Sequence, residues 1–148
     1  MSIEDDVALL ERVPTLRLLG GTSLRMLAVG VEQRDVARGD LLFKVGEPAD
    51  AAFVVQRGSL KVSADDDGPS VVARPGDLLG ELALLMPMRR PANAEALEHS
   101  TLIRISRSLF QRVIESDPAA ARRLRDDLAA RTSQIASEIL VAGAKLSS

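Results

Sequence analysis

Apolar residues recur along this chain in three successive rhythms, and each rhythm marks a region. From the start to residue 31, Leu9, Leu10, Val13, Leu16 and Leu19 fall at helical spacing. Pro14 divides that run into two short helices, and Gly20-Gly21 ends it. Thr22 or Ser23 then stands where a cap belongs, ahead of a short helix carrying Leu24, Leu27 and Ala28. Between residues 32 and 105 the texture changes to short β-prone runs: Leu41–Phe43, Ala52–Val55, Leu60–Val62, Val71–Ala73 and Leu102–Ile105. Glycine turns separate them, among them Arg38-Gly39-Asp40, Gly46-Glu47-Pro48, Arg57-Gly58 and Pro75-Gly76-Asp77. Leu60 and Val62, alternating with Ser59, Lys61 and Ser63, give the cleanest period of two. Close-set short strands with glycine turns predict a compact sandwich, roll or barrel.

Helical spacing returns from residue 106 to about 146. Ser106 or Ser108 is placed to cap a helix with Leu109, Val113 and Ile114 on one face. Asp117-Pro118 restarts the chain, with proline in a first turn. The last helix carries an apolar stripe of Ala121, Leu124, Leu128, Ile135, Ile139, Ala142 and Leu146, interrupted at Arg131-Thr132. That stripe either lies on the chain's own barrel or pairs with a second copy. Its length favours a homodimer through the C-terminal helix. The expected architecture is α+β in one domain, 1–148: helices over 1–31, a β-roll over 32–105, helices over 106–146.

Composition removes several functions. There is no cysteine and only one histidine, His99, so no set of soft or imidazole ligands exists for zinc, haem or an iron–sulfur cluster. The same shortage removes nucleophilic triads, and His99 is expected on the surface in a strand-to-strand turn. Asp65-Asp66-Asp67-Gly68 lacks the alternating ligands of a calcium loop and is expected at a solvated hairpin tip. The net charge of −2 and three phenylalanines as the only aromatics give neither a basic stripe nor a stacking platform for nucleic acid. No apolar run approaches the roughly 20 residues of a membrane helix, and no leader opens the chain, so a cytoplasmic, non-enzymatic protein is expected.

The stretch that carries chemistry is Gly80–Ala94. Gly80 permits a tight turn and close approach of the backbone. Glu81 to Leu85 begin a short helix whose first N–H groups suit an anion. Arg90, nine residues after Glu81, offers a planar fork for a phosphate. A carboxylate beside a phosphate site suits a sugar hydroxyl. Each residue alone has an ordinary reading as a first-turn acid or a solvated arginine, but the combination points to phosphate plus ribose.

Gly80-Glu81-Leu82-Ala83-Leu84, a short loop, then Arg90-Pro91-Ala92-Asn93-Ala94 resembles the phosphate-binding cassette of cyclic nucleotide-binding domains. The glycine punctuation of the barrel and the flanking helices extend the likeness over about residues 7–140. The resemblance implies a jelly-roll barrel with two closing helices and cAMP or cGMP as ligand. It implies that Glu81 bonds the ribose 2′-hydroxyl, that Arg90 pairs with the cyclic phosphate beside the N–H groups of Leu82 and Ala83, and that Gly80 lets the ribose sit close. Ala92 and Asn93 complete the motif, and Val62, Val71 and Val72 are candidates to wall the base. Arg131 and Thr132 stand either as base contacts on a closing helix or as polar edge residues of the seam.

Pro91 departs from the family, which commonly places Ala, Ser or Thr there and uses that residue's N–H. A lost bond to a charged group weakens binding by roughly 1.5–3 kcal/mol, about one to two decades. Pro91 also lacks the hydroxyl that accompanies cGMP preference, so cAMP is favoured. Crp/Fnr regulators carry this domain followed by a helix-turn-helix module. Only a few residues, up to Ser148, follow the last helix here. The expectation is a free-standing sensor acting on a separate protein effector, without direct contact to nucleic acid or membrane. The alternatives are a barrel that has lost nucleotide and serves as an interaction module, or the sensor fragment of such a regulator.

Overall fold

A computed structural model describes residues 2–64 and 68–130. The acidic hairpin tip, Arg131, Thr132 and the seam from Ile135 onward lie outside the described residues. The chain opens with α1 (Ile3–Glu11), α2 (Pro14–Arg17) and α3 (Gly21–Gly30). Ser2 caps α1 by accepting the Asp5 amide, and Pro14 sits in the first turn of α2, where no donor is lost. The cap expected at Thr22 or Ser23 is not there. Gly20 takes the cap position with φ of +82°, so the helix begins before either hydroxyl residue. Ser23 lies inside α3 and donates instead to Asp117 Oδ2 at 2.9 Å.

The strands are β1 (Glu32–Val36), β2 (Leu41–Phe43), β3 (Pro48–Ala49), β4 (Ala51–Arg57), β5 (Leu60–Ser63), β6 (Ser70–Ala73), β7 (Leu78–Leu79), β8 (Met88–Arg89), β9 (Asn93–Ala96) and β10 (Ser100–Ser106). One sheet runs β1-β10-β4-β7, a second runs β2-β9-β5-β6, and β3 pairs with β8. Every pairing is antiparallel, which gives the jelly-roll arrangement. His99 is exposed in the β9–β10 turn, 3.9 Å from Asp35.

Two cores meet at β4. Ala52 and Val54 face the helices and pack with Leu10, Leu16, Leu27, Ile105 and Phe110. Ala51, Phe53 and Val55 face the space between the sheets, with Leu60, Ala94 and Leu102. The alternation follows from the period of two along a strand covered on both sides. It also explains why this strand reads as a continuous apolar run.

α4 (Arg107–Ser116) starts at Ser106, whose hydroxyl accepts the Leu109 amide at 3.1 Å. A following helix, α5, is described over 118–130. Asp117 caps it by accepting the Ala120 amide at 3.1 Å. Arg123 reaches back to donate to the carbonyls of Leu18 and Leu19, where α2 ends. Leu124 is buried and Leu128 half-buried against the helix-side core. This part of the apolar stripe therefore lies on the chain's own barrel.

Candidate anion and sugar pocket

Gly80 opens the site. It adopts the left-handed conformation (φ +79°, ψ +34°), and a Cβ placed on it would stand 2.5 Å from Arg90 Nη1. A side chain there is strained by the backbone conformation and would displace the guanidinium lying against it. The next residues, Glu81–Leu84, form a single 3₁₀ turn. In that turn the Ala83 N–H donates to the Gly80 carbonyl at 3.0 Å, so it is spent inside the cassette. The Leu82 amide has no partner among the described residues.

Arg90 follows β8, and its own backbone is fixed by the loop before β3. Its N–H donates to the Glu47 carbonyl at 2.8 Å, and its carbonyl accepts the Gly46 amide at 2.9 Å. The residue is only 6 % exposed. Nη2 donates to the Ala51 carbonyl at 2.8 Å, and the guanidinium carbon lies 4.3 Å from the Phe43 ring centre and 5.6 Å from that of Phe53. Stacking on these faces helps to hold a dehydrated cation. Arg90 makes no ion pair among the described residues. Burial lowers its pKa from the usual arginine value, while Asp50 and Glu47 act in the opposite direction.

Glu81 stands at the lip of the pocket, where its Oε1 accepts from the Thr15 hydroxyl at 3.1 Å. Between Glu81 and Arg90 lies a cavity of about 210 Å³. Phe43, Val62, Leu79, Leu82 and Met88 make its apolar walls, and Gly80, Pro91 and Ala92 complete the lining. A cation with spare donors, a carboxylate acceptor and an apolar wall suit an anionic group joined to a hydroxylated ring and a flat apolar face.

The structure thus brings Gly80, Glu81, Leu82, Arg90, Pro91, Ala92 and Val62 together. Ala83 is fully buried behind the turn. Asn93 lies outside the lining, because its side-chain oxygen accepts the Val45 amide at 2.8 Å and ties down the loop after β2. Val71 pairs with Val62 across the ladder and shares its face, but it is 70 % exposed and outside the lining. Val72 pairs with Lys61 on the opposite face. Phe43, Leu79 and Met88 were not anticipated. Phe43 carried a signal, as an aromatic in a strand of a chain with only three; Leu79 and Met88 reach the pocket through pairings that local pattern does not encode. Among the described residues no group of three His, Cys, Asp or Glu is placed to hold a metal, and no helix is long and apolar enough to cross a membrane.

A family model described as the cyclic nucleotide-binding domain matches residues 33–117. An uncharacterised NTE family protein of Mycobacterium tuberculosis is 31% identical over 133 residues, covering 84% of this chain and 23% of that protein. The HTH-type transcriptional regulator Cmr of Mycobacterium tuberculosis is 28% identical over 110 residues, 72% of this chain and 45% of that one. The chain therefore spans from about a quarter to under half of these curated relatives. The N-terminal domain of a transcriptional regulator from Streptomyces coelicolor A3(2) superposes with a TM-score of 0.79 at 29% identity, covering 88% of this chain and 94% of that structure.

Proposed function

Because this chain belongs to the cyclic nucleotide-binding domain family, we propose that its pocket binds the sugar-phosphate of a cyclic nucleotide, with cAMP preferred over cGMP, and that the protein is a sensor rather than an enzyme. The observation that carries this reading is Arg90. It is a buried cation with no ion pair among the described residues, backed by Phe43 and fixed by one carbonyl. A buried charge without a counter-ion is costly, and an incoming phosphate supplies the missing partner. In this reading Arg90 takes the cyclic phosphate together with the Leu82 amide, and Glu81 exchanges the Thr15 hydroxyl for the ribose 2′-hydroxyl.

The base would lie along Val62 toward the exposed Val71. That wall is apolar, and Pro91 adds neither an N–H nor a hydroxyl. Guanine carries more edge groups in need of partners than adenine, which supports cAMP. Output would pass through the C-terminal helix to a separate protein or to a second copy. Glu81 contacts α2 through Thr15, and the end of α2 accepts bonds from Arg123 of α5, which supports that route.

Isothermal titration of nucleotide-free protein with cAMP and cGMP tests the proposal. Expected are binding at about micromolar or tighter, weaker heat with cGMP, and loss of both with Arg90→Ala. No heat with either nucleotide sinks the sensor reading and leaves a barrel that serves as an interaction module.

A further inference from the structure

We infer that Arg107, the first residue of α4, is a positioning residue that holds the cassette against the Arg90 support; its effect on affinity rests on the nucleotide-binding reading above. Arg107 is half-buried and makes no ion pair among the described residues. Its donors go instead to main-chain carbonyls of two distant segments. Nε donates to the Ala83 carbonyl at 2.7 Å, and Nη2 donates to the Ala49 carbonyl. Its own N–H donates to the Asp50 carbonyl at 2.8 Å.

These contacts share a target with Arg90. Three consecutive carbonyls, those of Ala49, Asp50 and Ala51, are held respectively by the Arg107 side chain, the Arg107 amide and Arg90 Nη2. The remaining Arg107 bond grips the far end of the 3₁₀ turn, whose near end, Gly80, lies against Arg90 Nη1. Arg107 therefore closes a frame around the pocket without entering it. The frame fixes the distance between the Leu82 amide and the guanidinium, the two donors that a phosphate would need to meet together. A planar fork suits this task because two donors leave one rigid group in different directions. A lysine ammonium on a flexible stem fixes that geometry less firmly.

Amide hydrogen exchange and cAMP titration on Arg107→Met and Arg107→Lys test the inference. In nucleotide-free Arg107→Met, amides of residues 83–86 are expected to exchange on the order of tenfold faster while those of β5 and β6 keep their rates. The dissociation constant for cAMP should rise by a similar factor, and Arg107→Lys should recover part of both changes. Unchanged exchange in the cassette, acceleration spread evenly over the chain, or an unchanged dissociation constant overturns the inference. Should Arg107→Met fail to fold, Arg107→Lys carries the same comparison, with an intermediate loosening confined to residues 83–86 as the expected result. Silence of the wild-type protein toward both nucleotides overturns the nucleotide reading instead, and the exchange comparison still decides whether Arg107 holds the cassette.

Discussion

Replacing Gly80 by alanine probes the pocket at its tightest point. Two costs separate cleanly. The first is conformational: a residue with a Cβ at φ +79° and ψ +34° is about 1–2 kcal/mol less favourable than glycine. The second is contact. The new Cβ would stand 2.5 Å from Arg90 Nη1, so the guanidinium must retreat by nearly an ångström to reach the ordinary contact distance of 3.4 Å. The largest cost arises if that retreat takes Nη2 from its 2.8 Å bond to the Ala51 carbonyl, since a bond from a charged donor contributes roughly 1.5–3 kcal/mol. Destabilisation of roughly 1–5 kcal/mol is therefore expected, its upper part with that bond lost, and cAMP binding weakened by about one to two decades. Gly39→Ala is the matching control, since Gly39 has φ of +86° and nothing within 4 Å of a built Cβ. It should lose only about 1–2 kcal/mol and keep its affinity. Urea unfolding and calorimetric titration of both variants provide the comparison. Wild-type affinity in Gly80→Ala, or an equal loss in Gly39→Ala, would refute the placement of Arg90 at the phosphate.

Two further outcomes follow from single residues. Pro91→Ala restores an N–H at the pocket lining; affinity for cAMP should rise by about tenfold or more, at a stability loss of about 0.4–1 kcal/mol from the freer unfolded chain, and an unchanged titration curve would rule out that N–H as a phosphate donor. Asp117 has a pKa below its ordinary 3.8 because the Ala120 amide, and then the Ser23 hydroxyl, donate to the carboxylate. With the folded value below the unfolded one, its contribution is complete above 3.8 and is lost as pH falls through the folded value. Asp117→Asn keeps an oxygen to cap α5 but does not titrate, so urea midpoints measured between about pH 5 and pH 2 should fall less steeply than in the wild type. A wild-type slope would remove Asp117 from the acid response.

Legibility in the sequence depended on where each residue's partners lie. β4, β5 and β10 were readable because burial on one or both faces selects β-branched and apolar residues. β1 carries the sequence Glu-Gln-Arg-Asp-Val at a sheet edge and exposes four of its five residues, so no apolar pattern announces it. β9 reads Asn-Ala-Glu-Ala, weak in strand formers, and is a strand because β2 and β5 pair with it on both sides. Ser23 shows the same limit in a helix. Its residue type signals a cap, whereas its hydroxyl serves a partner 94 residues away. The cassette was legible because its chemistry is consecutive in the chain. Arg107 was not, since its acceptors are carbonyls 24 and 58 residues distant, and any residue can supply a carbonyl.

A single strand, β4, lies between the Arg90 guanidinium and the helix-side core. The Ala51 carbonyl holds Arg90, and the next residue, Ala52, has its side chain in the helix-side core. Both alanines are completely buried. A pull on the guanidinium would thus bear on a strand whose other face is already in contact with the helices. In the sensor reading, that strand would carry the pull of a bound phosphate as a diaphragm does.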